Sequence, residues 1–152
     1  MQIQNQAIES FNISSEGYYP FLIRNGWQLA QLNYTPAQAI DQITRLDIHH
    51  QTDEVFVALT GKAVLIAASI IAGVPHFELE YLQHNKIYNI PKKVWHNIAM
   101  EPGSKVLIAE KSNTHVSDFE FFDLSSEKQQ ELKEKVTQLI QTNHETSKPL
   151  NQ

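Results

Sequence analysis

Hydrophobic and polar residues alternate over short distances through the middle of the chain. Between residues 44 and 109, apolar-rich segments follow one another, separated by polar or glycine-containing turns, with no amphipathic helix between them. Residues 77–82 alternate between apolar and acidic side chains, which is typical of a strand with one buried and one exposed face. Short strands at this spacing predict an all-β antiparallel sandwich or barrel. The predicted strands are residues 44–50, 54–59, 63–72, 77–82, 87–91, 94–100 and 106–109.

Two local signals precede this series of strands. Asn25-Gly26 lies between the apolar runs 18–24 and 27–32, and this dipeptide predicts a β-hairpin because both residues can take positive φ. Thr35 followed by proline is typical of a helix N-terminus and predicts a short helical turn that ends at about Ile43.

One longer amphipathic helix is predicted after the strands, over residues 125–141. Ser125 can cap it and Glu127 lies in its first turn. A stripe of apolar side chains predicts packing on the outside of the barrel or on a neighbouring subunit. The stripe consists of Leu132, Val136, Leu139 and Ile140. The polar tail, residues 142–152, is predicted to fray. We expect one domain over residues 1–152 with a barrel core over about residues 18–123.

Composition and charge narrow the classes of function. The chain of 152 residues has 17 acidic against 12 basic residues and a net charge of −5, which argues against nucleic-acid and anionic-membrane partners. The absence of cysteine excludes disulfides, thiolate metal sites and cysteine nucleophiles. The N-terminus lacks a secretory pattern, and the most hydrophobic stretch is interrupted by polar residues, so we expect a cytoplasmic protein with no membrane partner.

Histidines and carboxylates meet at the junction of two predicted strands. In an unbroken strand His50 and Glu54 point to the same side, so parity favours His50 as the inner histidine. His49 would join Glu54 only if a bulge intervened. Downstream, His96 shares an apolar strand face, where a lone histidine is more often a hydrogen-bonded core residue than a ligand.

Together the two segments resemble the paired motifs of the cupin superfamily, over about residues 44–110. The matching residues are His49 or His50, Glu54, Gly61, Pro91 and His96. The resemblance implies a cupin-type double-stranded β-helix, or jelly-roll, barrel with the N-terminal hairpin and the C-terminal helix added outside. It also implies a homodimer that pairs through N-terminal strands, for which the aromatic-rich residues 18–21 supply an apolar contact.

The motifs are incomplete. The first cupin motif contains a His-x-His pair. The residue two positions before His50 is Ile48 and the residue two positions before His49 is Asp47, so neither histidine has the expected partner. Further departures are Gln42, Asn85 and Lys93 in place of glycine and Met100 in place of asparagine. What remains is a set of His49 or His50, Glu54 and His96, which suits a facial triad for Fe(II), Mn(II), Ni(II) or Zn(II). Asp47 could add an oxygen ligand in the His49 register. The alternative is a metal-free pocket in which the same residues bind ligand or transfer protons.

The resemblance leaves several functions open. It implies a small-molecule ligand, such as a polar metabolite or carbohydrate derivative, and isomerase or epimerase chemistry with Glu54 and His96 as catalytic residues. A looser resemblance to 3,4-ketoisomerases of nucleotide-linked sugars involves residues 94–96 and 106–109, although their Arg-Gly-x-His-Ala-His stretch is missing. The alternatives are a facial-triad metal dioxygenase and a non-catalytic binder or sensor. No glycine-rich phosphate loop is present, and no organic cofactor is predicted.

Two neighbours of the motifs are predicted to have structural roles. Trp95, beside His96, is predicted to pack as a buried tryptophan rather than to stack on a ligand. Glu110, at the end of an apolar strand, is predicted to lie at the solvated surface.

Overall fold

The structure of the protein is a computed structural model that describes residues 7–146. Among these residues, the strands are β1 (Gly17–Arg24), β2 (Trp27–Asn33), β3 (Arg45–Ile48), β4 (Glu54–Thr60), β5 (Ala63–Ile71), β6 (Val74–Tyr81), β7 (Tyr88–Ile90), β8 (Trp95–Met100), β9 (Lys105–Glu110) and β10 (Glu120–Asp123). The helices are α1 (Thr114–Ser117), α2 (Ser126–Thr146) and a short 3-10 helix, Pro36–Gln38. The strands pair antiparallel in two five-stranded sheets, β1-β2-β9-β4-β7 and β10-β3-β8-β5-β6. The predicted all-β fold with an N-terminal hairpin and a C-terminal helix is confirmed.

Apolar side chains form two separate clusters. The inner cluster lies between the two sheets and includes Phe56 and Ile108 of the first sheet and Leu65 of the second. The outer cluster lies between the second sheet and α2. Its buried residues are Ile43, Leu46, Val64, Ile66, Ala68, Ala99, Leu124, Leu132, Val136 and Ile140. Successive side chains of β5 enter the two clusters alternately, which explains why residues 63–66 form an uninterrupted apolar run.

Helix α2 covers the outer face of the second sheet, as its predicted apolar stripe requires. Leu132, Val136 and Ile140 are buried there, and Ser125 Oγ accepts a hydrogen bond from the Lys128 N–H at 3.3 Å as the predicted cap. The helix extends beyond the predicted end at residue 141 to Thr146, and residues 147–152 of the predicted tail lie outside the described residues. Within the described part of the chain, no helix is long and apolar enough to cross a membrane.

The N-terminal turns differ in detail from the prediction. The hairpin at Asn25-Gly26 is present, but only Gly26 takes positive φ, at +91°. A turn of type II needs positive φ only at its second central residue, which is the glycine here. The helical turn ends at Gln38 rather than near Ile43, because the backbone at Ala39 is extended and Ile43 is buried in the outer cluster.

Two features that position the site were not predicted. The first is β10, which pairs with β3 and brings the preceding residues 111–119 against the end of β3. The second is an interruption between β3 and β4. The chain leaves β3 after Ile48 and enters β4 at Glu54, so residues 49–53 lie outside both strands.

Candidate functional site

A cavity of about 320 Å³ lies between the two sheets. Its apolar wall comes from the inner cluster and its aromatic rim from residues near β10. The lining residues are Tyr18, Leu32, Gln38, Asp47, His49, Glu54, Phe56, His96, Asn97, Ile98, Ile108, Glu110, His115, Phe119 and Phe121. A concave, largely apolar space with a few convergent polar groups is the usual form of a small-molecule site.

Three buried side chains converge on this cavity. Glu54 Oε2 lies 3.1 Å from His49 Nε2 and 2.8 Å from His96 Nε2. One donor atom from each of the three residues lies within 4.8 Å of the others. Two imidazole nitrogens and one carboxylate oxygen form a donor set that suits divalent transition metals. The group His49, Glu54 and His96 could therefore hold a metal ion.

The inner histidine is His49, and the preference for His50 from strand parity was wrong. The side chain of His49 is 9% exposed, whereas that of His50 is 42% exposed and its Nε2 lies 3.2 Å from Glu120 Oε2. Parity failed because residues 49–53 do not continue β3, so the alternation restarts at Glu54. An irregularity of this kind is what the sequence pattern required for His49, rather than His50, to face Glu54.

Both inner histidines are oriented by backbone carbonyl groups. His49 Nδ1–H donates to the Asp118 carbonyl oxygen at 2.6 Å, and His96 Nδ1–H donates to the Val94 carbonyl oxygen at 2.9 Å. With Nδ1 fixed in this way, Nε2 of each ring faces Glu54. Such hydrogen bonds set the ring orientation and tautomer of metal-binding histidines.

Asp118 also holds the interrupted segment in place. Its two carboxylate oxygens accept hydrogen bonds from the backbone N–H groups of His50 and Gln51, each at 2.9 Å. On the other side of the segment, the Lys93 N–H donates to the His49 carbonyl at 2.7 Å. Sequence reasoning missed Asp118, because it lies far along the chain from His49 and no local pattern connects the two.

The charges of the three residues are strongly coupled. Burial lowers the pKa of His49, but the hydrogen bond with Glu54 and its charge outweigh burial and raise the pKa to about 9. The same contacts raise the pKa of His96 against the effect of burial. Burial raises the pKa of Glu54, but hydrogen bonds from both imidazoles overcome it and lower the pKa to about 2. Without metal, the site therefore contains an ionised carboxylate that faces imidazolium groups.

Asp47 is a fourth candidate, as expected in the His49 register. It lines the cavity, and burial raises its pKa. Its Oδ1 is the one buried side-chain polar atom without a hydrogen-bond partner among the described residues. Leaving a buried acceptor unsatisfied is costly, so a cation at the neighbouring triad would supply an interaction that the protein itself does not. The residues present thus fit a metal ion.

Glu110 is buried, and its predicted surface position was wrong. Its side chain is 2% exposed, and its Oε1 accepts hydrogen bonds from the Tyr18 hydroxyl and, at 2.9 Å, from Gln28 Nε2. Burial and the charge of Glu54 raise its pKa. The alternation of the sequence could have predicted this burial, since Glu110 continues the inward-facing row of Val106 and Ile108 along β9. Trp95 packs against Phe122 with ring centroids 5.8 Å apart, in agreement with its predicted structural role.

Comparison with known proteins identifies the fold. No protein-family model matches the chain, and no curated protein matches its sequence. An uncharacterised protein with a double-stranded β-helix domain from Klebsiella pneumoniae superposes with a TM-score of 0.53, at 12% identity, over 82% of this chain and 98% of that chain. A cupin-2 domain protein from Shewanella frigidimarina gives 0.46, at 20% identity, over 65% and 84% of the two chains. The 3,4-ketoisomerase QdtA from Thermoanaerobacterium thermosaccharolyticum gives 0.47, at 19% identity, over 60% and 63%.

The likeness to the Klebsiella protein shows that this chain has a double-stranded β-helix fold. This is the fold that the predicted resemblance to the cupin superfamily implies.

Proposed function

We propose that the protein is a metal-binding cupin that takes a small polar metabolite into its cavity. The convergence of His49 Nε2, His96 Nε2 and Glu54 Oε2 carries the proposal, because these atoms already face one another in a buried site. They would hold Fe(II), Mn(II), Ni(II) or Zn(II), with Asp47 as a neighbouring oxygen donor. A bound ion of this kind supplies Lewis acidity toward an oxygen atom of the ligand.

The residues around the triad support isomerase or epimerase chemistry. Asp118 and Val94 orient the two histidines, and the apolar residues Phe56 and Ile98 limit the water in the cavity. Polar side chains at the cavity wall can orient a ligand by hydrogen bonds. We place the reaction on a carbohydrate-like or other polar metabolite.

A second candidate function dispenses with the metal. The opposite charges of Glu54 and the imidazolium groups stabilise each other, so the pocket is electrostatically satisfied without an ion. In this candidate His96 Nε2 donates a proton to the ligand and Glu54 Oε2 receives one, or the pocket binds ligand without catalysis. Iron as the resident metal would instead favour the dioxygenase alternative.

Elemental analysis tests the proposal most directly. Protein purified without an affinity tag should carry close to one equivalent of a divalent transition metal. The variant His96→Ala should lower metal affinity by about 100-fold or more, since it removes a ligand rather than an outer contact. His50→Ala is the matched control, because His50 lies outside and should leave affinity unchanged. A folded, chelator-treated wild-type protein that binds none of the four metals would refute the metal function and leave the second candidate.

We also propose a homodimer through β1. This strand is an edge of the first sheet, so one side of its backbone has no strand partner among residues 7–146. Exposed apolar residues lie on or beside it, namely Phe11, Tyr19, Ile23 and Trp27. Sedimentation at micromolar concentration should give twice the monomer mass, and a monomer mass would contradict the proposal. The predicted cytoplasmic location and the absence of a nucleic-acid partner stay predictions.

A further inference from the structure

The lining of the cavity is rich in carboxyl groups. Among the described residues, the cavity is lined by three carboxyl side chains, Asp47, Glu54 and Glu110, and by no lysine or arginine. The guanidinium group of Arg45, which is not part of the lining, is stacked on the ring of Phe121 at 3.7 Å from its centroid. Only the triad histidines and His115 could contribute positive charge to the lining. A phosphate or carboxylate group inside the cavity would find no lysine or arginine to pair with among the described residues, and both triad histidines are already paired with Glu54.

The two oxygens of Glu110 have different surroundings. Oε1 accepts from the Tyr18 hydroxyl and from Gln28 Nε2, and Gln28 is held in turn because its Oε1 accepts the Asn113 N–H at 2.8 Å. Oε2 lies 4.0 Å from His49 Nε2. The carboxyl group is thus fixed at one oxygen, while the other faces the ligand space beside the triad.

The rim of the cavity is aromatic. Phe119 and Phe121 lie with ring centroids 5.4 Å apart and are 40% and 46% exposed. Arg45 covers one face of Phe121 and fixes the orientation of that ring. Large exposed rings at the mouth of a cavity offer stacking surfaces to a ring-shaped ligand.

We propose that the cavity selects a ring compound that carries hydroxyl or amino groups and no negative charge, and that Glu110 Oε2 accepts a hydrogen bond from one of these groups. The inference rests on the proposed function in that it names the ligand class of the same cavity. It places phosphorylated and nucleotide-linked sugars outside that class. Glu110 is then the residue that determines specificity, and the triad is not required for the selection.

Three probes that differ only in charge test the selection. Benzylamine, benzyl alcohol and benzoate share a phenyl ring and carry a cation, a neutral hydroxyl and an anion, respectively. Each is titrated near neutral pH into chelator-treated protein, so that no carboxylate can bind a metal, and binding is followed by the NMR signals of the His49 and His96 imidazoles. Benzylamine and benzyl alcohol should bind at least about tenfold more tightly than benzoate, the size expected for one hydrogen bond to a charged group.

The variant Glu110→Gln isolates the oxygen that faces the cavity. Its amide oxygen can still accept from Tyr18 and Gln28, so only the cavity-facing oxygen is replaced, by an NH₂ donor. Benzylamine should lose about tenfold in affinity and benzoate should gain. Glu80→Gln, which changes an exposed carboxylate paired with Lys86, should change neither, and thermal unfolding checks that both variants fold.

Each result bears on the two proposals separately. Selection of benzylamine by a protein that binds no metal would refute the proposed metal function and retain this inference. A metal-binding protein that prefers benzoate, binds none of the three probes, or keeps its preference in Glu110→Gln would overturn this inference and leave the metal site intact.

Discussion

The inner and outer clusters share one sheet but have opposite characters. On β8, His96 and Ile98 face the inner cavity, whereas Trp95 and Ala99 belong to the outer cluster. Among the described residues, the buried histidine and carboxylic acid side chains are His49, Glu54, His96 and Glu110, and all of them line the cavity. The outer cluster is closed instead by the apolar stripe of α2.

This difference separates stability from chemistry. Buried ionisable groups cost desolvation free energy, which their mutual contacts offset only in part, so they are a weak source of stability. A fully buried leucine-sized side chain contributes about 1.5–3 kcal/mol. We infer that α2 and the outer face stabilise the sheet, and that the inner face of the same sheet can then carry a charged site.

The largest expected effect on stability belongs to the outer cluster. Leu132→Ala removes a side chain that is 1% exposed and should lower the free energy of unfolding by about 2–5 kcal/mol, because a cavity remains. Denaturant unfolding measures the loss, and metal affinity of the folded variant should stay unchanged. The half-buried Leu139→Ala is the matched control, with a smaller loss. A large loss of metal affinity in folded Leu132→Ala would show that the two clusters are not separate.

The pH dependence should run in opposite directions for metal affinity and for metal-free stability. Metal must displace the proton on His49 Nε2, whose pKa is raised to about 9, so affinity should fall about 50-fold between about pH 9 and about pH 7 for one displaced proton. The raised pKa of His49 stabilises the metal-free fold fully below 6.5, and this contribution is lost as pH rises through about 9. The lowered pKa of Glu54 stabilises above 4.5, and this contribution is lost as pH falls toward about 2.

Isothermal titration with zinc across this range, alongside denaturant unfolding of chelator-treated protein, measures both trends. His50→Ala serves as the matched control, because it removes a histidine that lies outside the site. Affinity that does not change with pH would contradict the protonated metal-free site.

Asp118 should affect the inner site through the segment that it holds. Asp118→Ala removes the acceptors of the His50 and Gln51 N–H groups and should lower metal affinity by about 10- to 100-fold, the usual cost of losing an outer contact. Asp118→Asn keeps one carbonyl oxygen as an acceptor and should lose less. Asp123→Ala changes an exposed carboxylate at the end of β10 and should have no effect. Unchanged zinc affinity in Asp118→Ala would show that the backbone carbonyl of residue 118 and the Lys93 contact suffice to position His49.

The sequence predicted those parts of the inner site that lie on regular strands. Motif spacing placed Glu54 and His96 together, and the structure brings their donor atoms to 2.8 Å. Asn85 and Lys93 replace motif glycines, yet each has φ of +66°, so the turn geometry survives the change of residue. The positions of His49 and Asp118 depend on an irregular segment and on a contact between distant parts of the chain, for which alternation gives no information.

His50 provides the smallest expected effect and the sharpest test of this distinction. Its imidazole is 42% exposed and its Nε2 lies 3.2 Å from Glu120 Oε2, an exposed pair of the kind that contributes less than about 1 kcal/mol. His50→Ala should therefore shift stability by no more than about 0.5 kcal/mol and leave zinc affinity unchanged. His49→Ala, one residue earlier, should abolish tight zinc binding, because it removes a ligand of the buried triad. Equal losses of zinc affinity in the two variants would contradict the assignment of His49 to the inner site and of His50 to the surface.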